Sequence, residues 1–186
     1  MNIVLASASP RRRELLKIIT ENFNAVSTDA DETLPEDMPA KKAAAYLAEI
    51  KASCAAEDFP DALVIGCDTT VVYDNSILGK PKDINQCREF MNMLSGRTHS
   101  VITGCCLIHS ENIMSFSVET EVSFRNLTSD EIEEYISTEE PYDKAGGYGI
   151  QGKGALLIEK INGDYFNVVG LPVSRLKIEI DKILNK

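Results

Sequence analysis

The chain has 186 residues, 44% of them apolar, with a formal net charge of −10 and a pI near 4.7. That length suits one domain or two closely packed lobes, and the apolar content excludes general disorder. The acidic field disfavours non-specific binding to nucleic acid or an anionic membrane, and no run approaches the roughly 20 apolar residues of a membrane span.

The run NIVLA at 2–6 reads as a buried strand. Ser9 is then placed as an N-cap and Pro10 in the first turn of a helix over 10–20, with Leu15, Leu16 and Ile19 facing inward. Residues 28–38 are acidic and turn-rich, and form a loop. A helix is predicted over 39–57, with Ala43, Ala44, Leu47, Ile50 and Cys54 on one face. ALVIGC at 62–67 reads as a central strand, which TVVY either continues or follows. Asp83 and Gln86 make a capping pattern for a helix to Ser95, with Gly96 as its stop. The runs 98–109 and 113–124 form a hairpin around SEN, and TSDE at 128–131 is a capping box for a helix to Ser137. ALLIEKI and DYFNVV, joined by Asn162-Gly163, read as a second hairpin. Pro172 opens a last helix with Val173, Leu176, Ile180 and Ile183 as its apolar stripe. Interleaved helices and strands, several of them antiparallel, imply an α/β fold: a mixed, twisted sheet flanked by helices.

Five cysteines (Cys54, Cys67, Cys87, Cys105 and Cys106) are odd in number and include no C-x-x-C pair. They read as reduced, mostly buried thiols of a cytoplasmic protein. His99 and His109 have no metal-like spacing and read as structural.

Four segments carry candidate chemistry. SASPRRR at 7–13 sets three arginines on a helix N-terminus, where cations oppose the dipole unless an anion offsets them. The guanidinium fork suits phosphate oxygens, although a solvated basic patch is the plain alternative. Asp68 directly follows a buried strand, where a carboxylate is costly unless used, and can hold Mg²⁺, serve as a general base or simply cap the turn. LGKPKD sets Lys80 between Gly79 and Pro81, which is not a Walker A loop. KAGGYGIQGKGA at 144–155 has five glycines but also Tyr148, Ile150 and Gln151, so it reads as a shaped loop rather than a linker. Gln151 offers both a donor and an acceptor, as base recognition requires.

Together LASASPRRRELL, VIGCDTTVV, LGKPKD, LSGRTHSVITG, EPYDKAGGYGIQGKGA and INGDYFNVVGLP, in this order and over almost the whole chain, make the sequence similar to the Maf family of nucleoside triphosphate pyrophosphatases. The resemblance implies one Maf-like domain over 1–186, ITPase-like in fold, with two lobes and a cleft between them, and often a homodimer. It implies hydrolysis of a nucleoside triphosphate to the monophosphate and pyrophosphate with a divalent cation (Mg²⁺, Mn²⁺ or Co²⁺). Gln151, and Thr69 after Asp68, resemble the branch acting on dTTP and UTP; modified pyrimidine nucleotides fit the same expectation. By the same resemblance Asp68 is catalytic, and Arg11, Thr69 and Gln151 govern substrate choice. Ser7, Arg12, Glu32, Lys51 and Lys80 line the phosphate site, with Asp68 and Glu32 as metal ligands. The competing expectation is a non-catalytic nucleotide-binding regulator of cell division. A nucleic-acid-binding module is disfavoured by the charge and by the lack of a basic stripe.

Overall fold

The computed structural model describes residues 2–185. Seven strands form one mixed sheet: β1 (Ile3–Ala6), β2 (Asn24–Val26), β3 (Leu63–Tyr73), β4 (Ser76–Leu78), β5 (Thr98–His109), β6 (Asn112–Phe124) and β7 (Ile158–Asn162). The order is β2-β1-β3-β5-β6-β7, and β4 pairs with β3 off that path. β1 is parallel to β2 and β3, and the remaining pairs are antiparallel. The helices are α1 (Pro10–Leu16), α2 (Ala40–Asp58), α3 (Ile84–Leu94), α4 (Ser129–Ile136), α5 (Tyr165–Val169) and α6 (Val173–Leu184). No helix among the described residues is long and apolar enough to cross a membrane.

The long strands β3, β5 and β6 run through two lobes. In the first, Leu5, Ile65 and Leu107 pack under Leu16, Leu176 and Ile180. In the second, Val71, Val101 and Phe124 pack with Phe90, Met91, Ile132 and Ile136 of α3 and α4. A mixed sheet flanked by helices, in two lobes, is therefore what the chain forms.

α2 lies directly on the sheet because two glycines remove the side chains that would hold it off. A Cβ on Gly66 would sit 2.1 Å from the Ala48 carbonyl oxygen, and one on Gly104 would sit 2.3 Å from that of Ala44. The helix answers with alanines: Ala44, Ala48 and Ala52 are fully buried. Ile50 and Cys54, expected on the inner face, are only half-buried, because the close approach selects the smallest side chains for the contact line.

Several boundaries differ from the sequence expectation. The first helix ends at Leu16 rather than near residue 20, its last turns tightening into 3₁₀-type bonds from Ile18 N–H to Leu15 and from Ile19 N–H to Leu16. TVVY continues β3 rather than starting a strand. The β5–β6 turn closes with His109 opposite Asn112, and Ser110 takes φ 54°.

The second expected hairpin does not form. β7 pairs with β6, but DYFNVV becomes α5. Asp164 caps it by accepting from the Phe166 N–H at 2.8 Å, and Gly170 ends it at φ 123°. Asn167, fully buried, anchors it: its amide donates to the Val101 carbonyl at 3.0 Å and its Oδ1 accepts from the Thr103 N–H at 3.2 Å. Tertiary hydrogen bonds here outweigh the β-propensity of Tyr, Phe and Val.

Candidate active site

The cleft follows from strand lengths. β5 covers one edge of β3 along residues 64–72. On the other edge β1 stops at the pair Ala6↔Gly66 and β4 begins at Val71↔Leu78. Residues 67–70 are left as an unpaired strand edge, open beyond the carboxyl end of parallel β1, where α/β sheets place ligands. A cavity of about 910 Å³ occupies this gap, within the roughly 300–1,000 Å³ usual for small-molecule sites.

The structure brings nine of the candidate residues to that cavity. Ser7, Arg11 and Arg12 come from the turn after β1 and from α1, Glu32 from the loop before α2, and Lys51 from α2. Asp68 and Thr69 come from β3, Lys80 from beyond β4, and Gln151 from the glycine-rich loop.

The centre is a charge cluster. Lys51 Nζ lies 2.6 Å from Asp68 Oδ1 and 2.9 Å from Glu32 Oε2. Asp68 and Lys51 are largely shielded, with side-chain exposures of 14% and 12%, whereas Glu32 is half-exposed. The α2–sheet approach creates this contact: Lys51 follows Ala48 on the helix, and Asp68 follows Gly66 on the same face of β3.

The three arginines separate. Arg12 turns inward and spends its guanidinium on the protein. Nε donates to the Gly170 carbonyl at 2.9 Å, Nη1 to the Cys67 carbonyl at 2.9 Å and to Ser7 Oγ at 3.2 Å, and Nη2 to Thr69 Oγ1 at 3.0 Å. It ties α1, the unpaired β3 edge and the end of α5 together. Arg11 reaches across the cleft to Asp143 at 3.4 Å. Arg13 is exposed, lies outside the cavity lining and has no side-chain partner among the described residues. Only two of the three arginines therefore face the cleft. The turn also satisfies some of its own amides: Ser7 Oγ accepts from the Ser9 N–H at 3.3 Å, and Ser9 Oγ accepts from the Arg12 N–H at 3.5 Å.

Thr69 is committed as well. Thr103 Oγ1 donates to the Asn167 carbonyl at 2.9 Å, so the 2.9 Å contact between the two threonines runs from Thr69 to Thr103. Thr69 thus gives its proton to Thr103 and accepts from Arg12, and acts on the cleft largely by fixing that guanidinium. Thr70, its neighbour, is buried with its hydroxyl unpartnered. Lys80 is exposed and makes no ion pair among the described residues, which leaves it free to meet an anion.

Behind the glycine-rich loop, His99, Phe124 and Tyr148 form a buried edge-to-face trio with centroids 4.8–5.4 Å apart. His99 Nε2 lies 2.6 Å from the Tyr148 hydroxyl, and burial pushes its pKa down to about 4. Nδ1 has no partner, so His99 is structural but only half satisfied. His109 lies at the β5–β6 turn, remote from the cavity lining. All five cysteines are free, Cys54 half-buried and the rest buried.

Sequence reasoning missed Glu140, Asp143 and Lys144 in the cleft wall and Thr103 and Asn167 beneath it. The E-P-Y-D-K run carries the first three but offers no local pattern that aims them inward. Among the described residues no cluster of three or more His, Cys, Asp or Glu forms a metal cage.

A mixed α/β sheet whose cleft combines cations with a lysine-bridged carboxylate pair defines a protein built to bind a small anionic ligand. The fold matches a HAM1 protein from Coxiella burnetii with a TM-score of 0.55, covering 98% of this chain and 99% of that one at 11% identity. The chain belongs to the Maf-like protein family, whose model matches residues 2–183. It is 48% identical to a relative from Bacillus cytotoxicus over 95% of this chain and 93% of that protein. It is also 48% identical to one from Clostridioides difficile, over 95% and 92% of the two chains. Both relatives are named dTTP/UTP pyrophosphatase.

Proposed function

We propose that the chain is a nucleoside triphosphate pyrophosphatase that hydrolyses dTTP and UTP to the monophosphate and pyrophosphate. The observation that carries this reading is the shielded Lys51 bridge between Asp68 and Glu32, in one cleft with Arg11, Lys80 and Gln151. The names of the relatives support the same reaction.

An acidic chain must gather a triphosphate locally, and the cleft cations do so. At an effective dielectric of about 20, one charge pair at 4 Å is worth about 4 kcal/mol before desolvation. Repulsion from distant surface carboxylates is screened over about 8 Å at physiological salt. Asp68 orients a water for attack at the α-phosphorus and takes its proton. The water oxygen–phosphorus bond forms as the bond from phosphorus to the bridging oxygen breaks, and pyrophosphate leaves. Lys80 and Arg11 meet the charge that grows on the leaving group. Lys51 holds the Asp68 carboxylate in place.

A divalent cation belongs to the same reading. Glu32 and Asp68 supply two carboxylates close enough to share one ammonium, and Mg²⁺ characteristically takes one or two carboxylates and completes its shell with water and substrate phosphates. When bound, the ion neutralises charge on the phosphate oxygens. A cytoplasmic location is inferred from the five unpaired cysteines, and a homodimer from the family resemblance.

A nucleotide panel with products identified tests the reading. Expected is monophosphate plus pyrophosphate from dTTP and UTP, with GTP and ATP slow, because a site that hydrogen-bonds the base leaves polar groups unpaired with the wrong one. Equal turnover of all four overturns the base preference. Nucleotide binding with no pyrophosphate release leaves a non-catalytic binder instead.

A further inference from the structure

Glu140 stands in the cleft wall without a part in the chemistry above. Its carboxylate is directed at the glycine-rich loop. Oε2 accepts from the Lys153 N–H at 2.7 Å, and Oε1 accepts from the Gly154 N–H at 2.9 Å and from the Tyr135 hydroxyl at 3.2 Å. Its own carbonyl accepts from Lys144 Nζ at 2.7 Å. The loop is shaped for this clasp: a Cβ on Gly152 would sit 2.3 Å from Oε2. On the loop's other flank, a Cβ on Gly149 would meet the Lys144 stem at 2.7 Å. Burial holds the Tyr135 phenol well above its usual pKa, so it stays a donor.

Gln151 therefore lies on a short bridge clasped on both sides. Lys144, tied to the Glu140 main chain, fills the space where a Gly149 side chain would stand, and the Glu140 carboxylate takes the two amides beyond Gly152. A carboxylate beside a triphosphate opposes binding by charge alone. Its presence calls for a geometric reason.

We propose that Glu140 is a positioning residue that shapes the 149–154 loop and thereby holds Gln151 against the edge of a pyrimidine base. This rests on the functional reading above, in which Gln151 meets the base. Glu140→Gln is the sharp probe because charge and geometry predict opposite signs. The amide keeps one acceptor oxygen and turns an NH₂ toward a backbone N–H, so one loop donor loses its partner. Removal of the negative charge alone would tighten nucleotide binding.

The experiment measures steady-state hydrolysis of UTP and GTP by the wild-type chain, Glu140→Gln, Gln151→Ala and the double variant, each with a thermal melt. Loss of one charge-assisted hydrogen bond predicts KM for UTP raised about tenfold in Glu140→Gln, with kcat changed by less than about twofold. The UTP-over-GTP preference narrows by a similar factor. In the Gln151→Ala background the same change costs less than about twofold, since the residue it acts through is gone. An unchanged or lowered KM overturns the proposal, as do equal losses on both nucleotides or penalties that simply multiply. Should Glu140→Gln lose its cooperative melt, Glu140→Asp, which keeps the charge but is one methylene short of both amides, is read by the same criteria. An inactive wild-type chain overturns the functional reading, and this inference with it. An active wild type with multiplying penalties overturns this inference alone.

Discussion

Lys51 on α2 and Asp68 on β3 meet at 2.6 Å, and Glu32 completes the contact at 2.9 Å from the same ammonium. The lysine thereby serves as counter-charge to two carboxylates at the point where the unpaired edge of β3 opens into the cleft. Asp68→Asn keeps the shape and a hydrogen-bond acceptor for Lys51 but removes the proton acceptor. Turnover should fall at least about a hundredfold with the fold intact. Lys51→Met should also destabilise, on the order of 2 kcal/mol, because Asp68 is left shielded without its partner. Pyrophosphate release and urea denaturation of both variants check these outcomes, and full activity of Asp68→Asn would remove Asp68 from the chemistry.

Arg12 and Arg13 are neighbours in sequence and opposites in role. Arg12→Lys keeps the charge but replaces a fork serving Gly170, Cys67, Ser7 and Thr69 with a single point donor. A stability loss of about 1–3 kcal/mol is expected, with reduced activity. Arg13→Ala should change both by little. Melting curves and initial rates of the pair decide it; equal effects would show that the inward turn of Arg12 has no consequence.

The seat of α2 on the sheet depends on two missing side chains. Gly66→Ala would drive a methyl into the Ala48 carbonyl, and Gly104→Ala would do the same at Ala44. Each should cost about 3 kcal/mol by overpacking. Activity of the folded fraction should fall as well, since lifting α2 draws Lys51 away from Asp68. Denaturation midpoints and rates at low temperature separate the two effects.

His99 predicts a pH dependence. Burial lowers its folded pKa from 6.5 to about 4, so the folded chain keeps it neutral while the unfolded chain takes up a proton below 6.5. Its contribution to stability is complete above pH 6.5 and is lost as pH falls toward 4. The loss reaches about 3 kcal/mol at the lower end. The difference in melting temperature between wild type and His99→Gln, followed from pH 7 to 4, isolates this group from the carboxylates. A constant difference would sink the prediction.

Much of the fold was legible in local pattern. Capping by Asp83 at Gln86 and the Thr128–Glu131 box appear as the spacing implies, with Gly96 at φ 67° after α3. The apolar stripe of α6 is buried as its period requires. Asn162-Gly163 between β-prone runs is a strong hairpin signal, yet DYFNVV forms a capped helix. The helix there depends on Asn167 bonding to strands some 60 residues away, at Val101 and Thr103.

Local pattern along the chain sets which residue types are brought to the chemistry, the order of the motifs and most of the helices and strands. Periodicity, caps and turns act between near neighbours, so they can be read along the chain. Long-range packing turns Arg12 inward and leaves Arg13 outside, sets Lys51 between Asp68 and Glu32, and lets Glu140 clasp the loop of Gln151. Each depends on strand register, on where β1 stops against β3 or on a helix backbone resting on glycine, and such contacts join distant segments through excluded volume and hydrogen bonding that leave no local pattern.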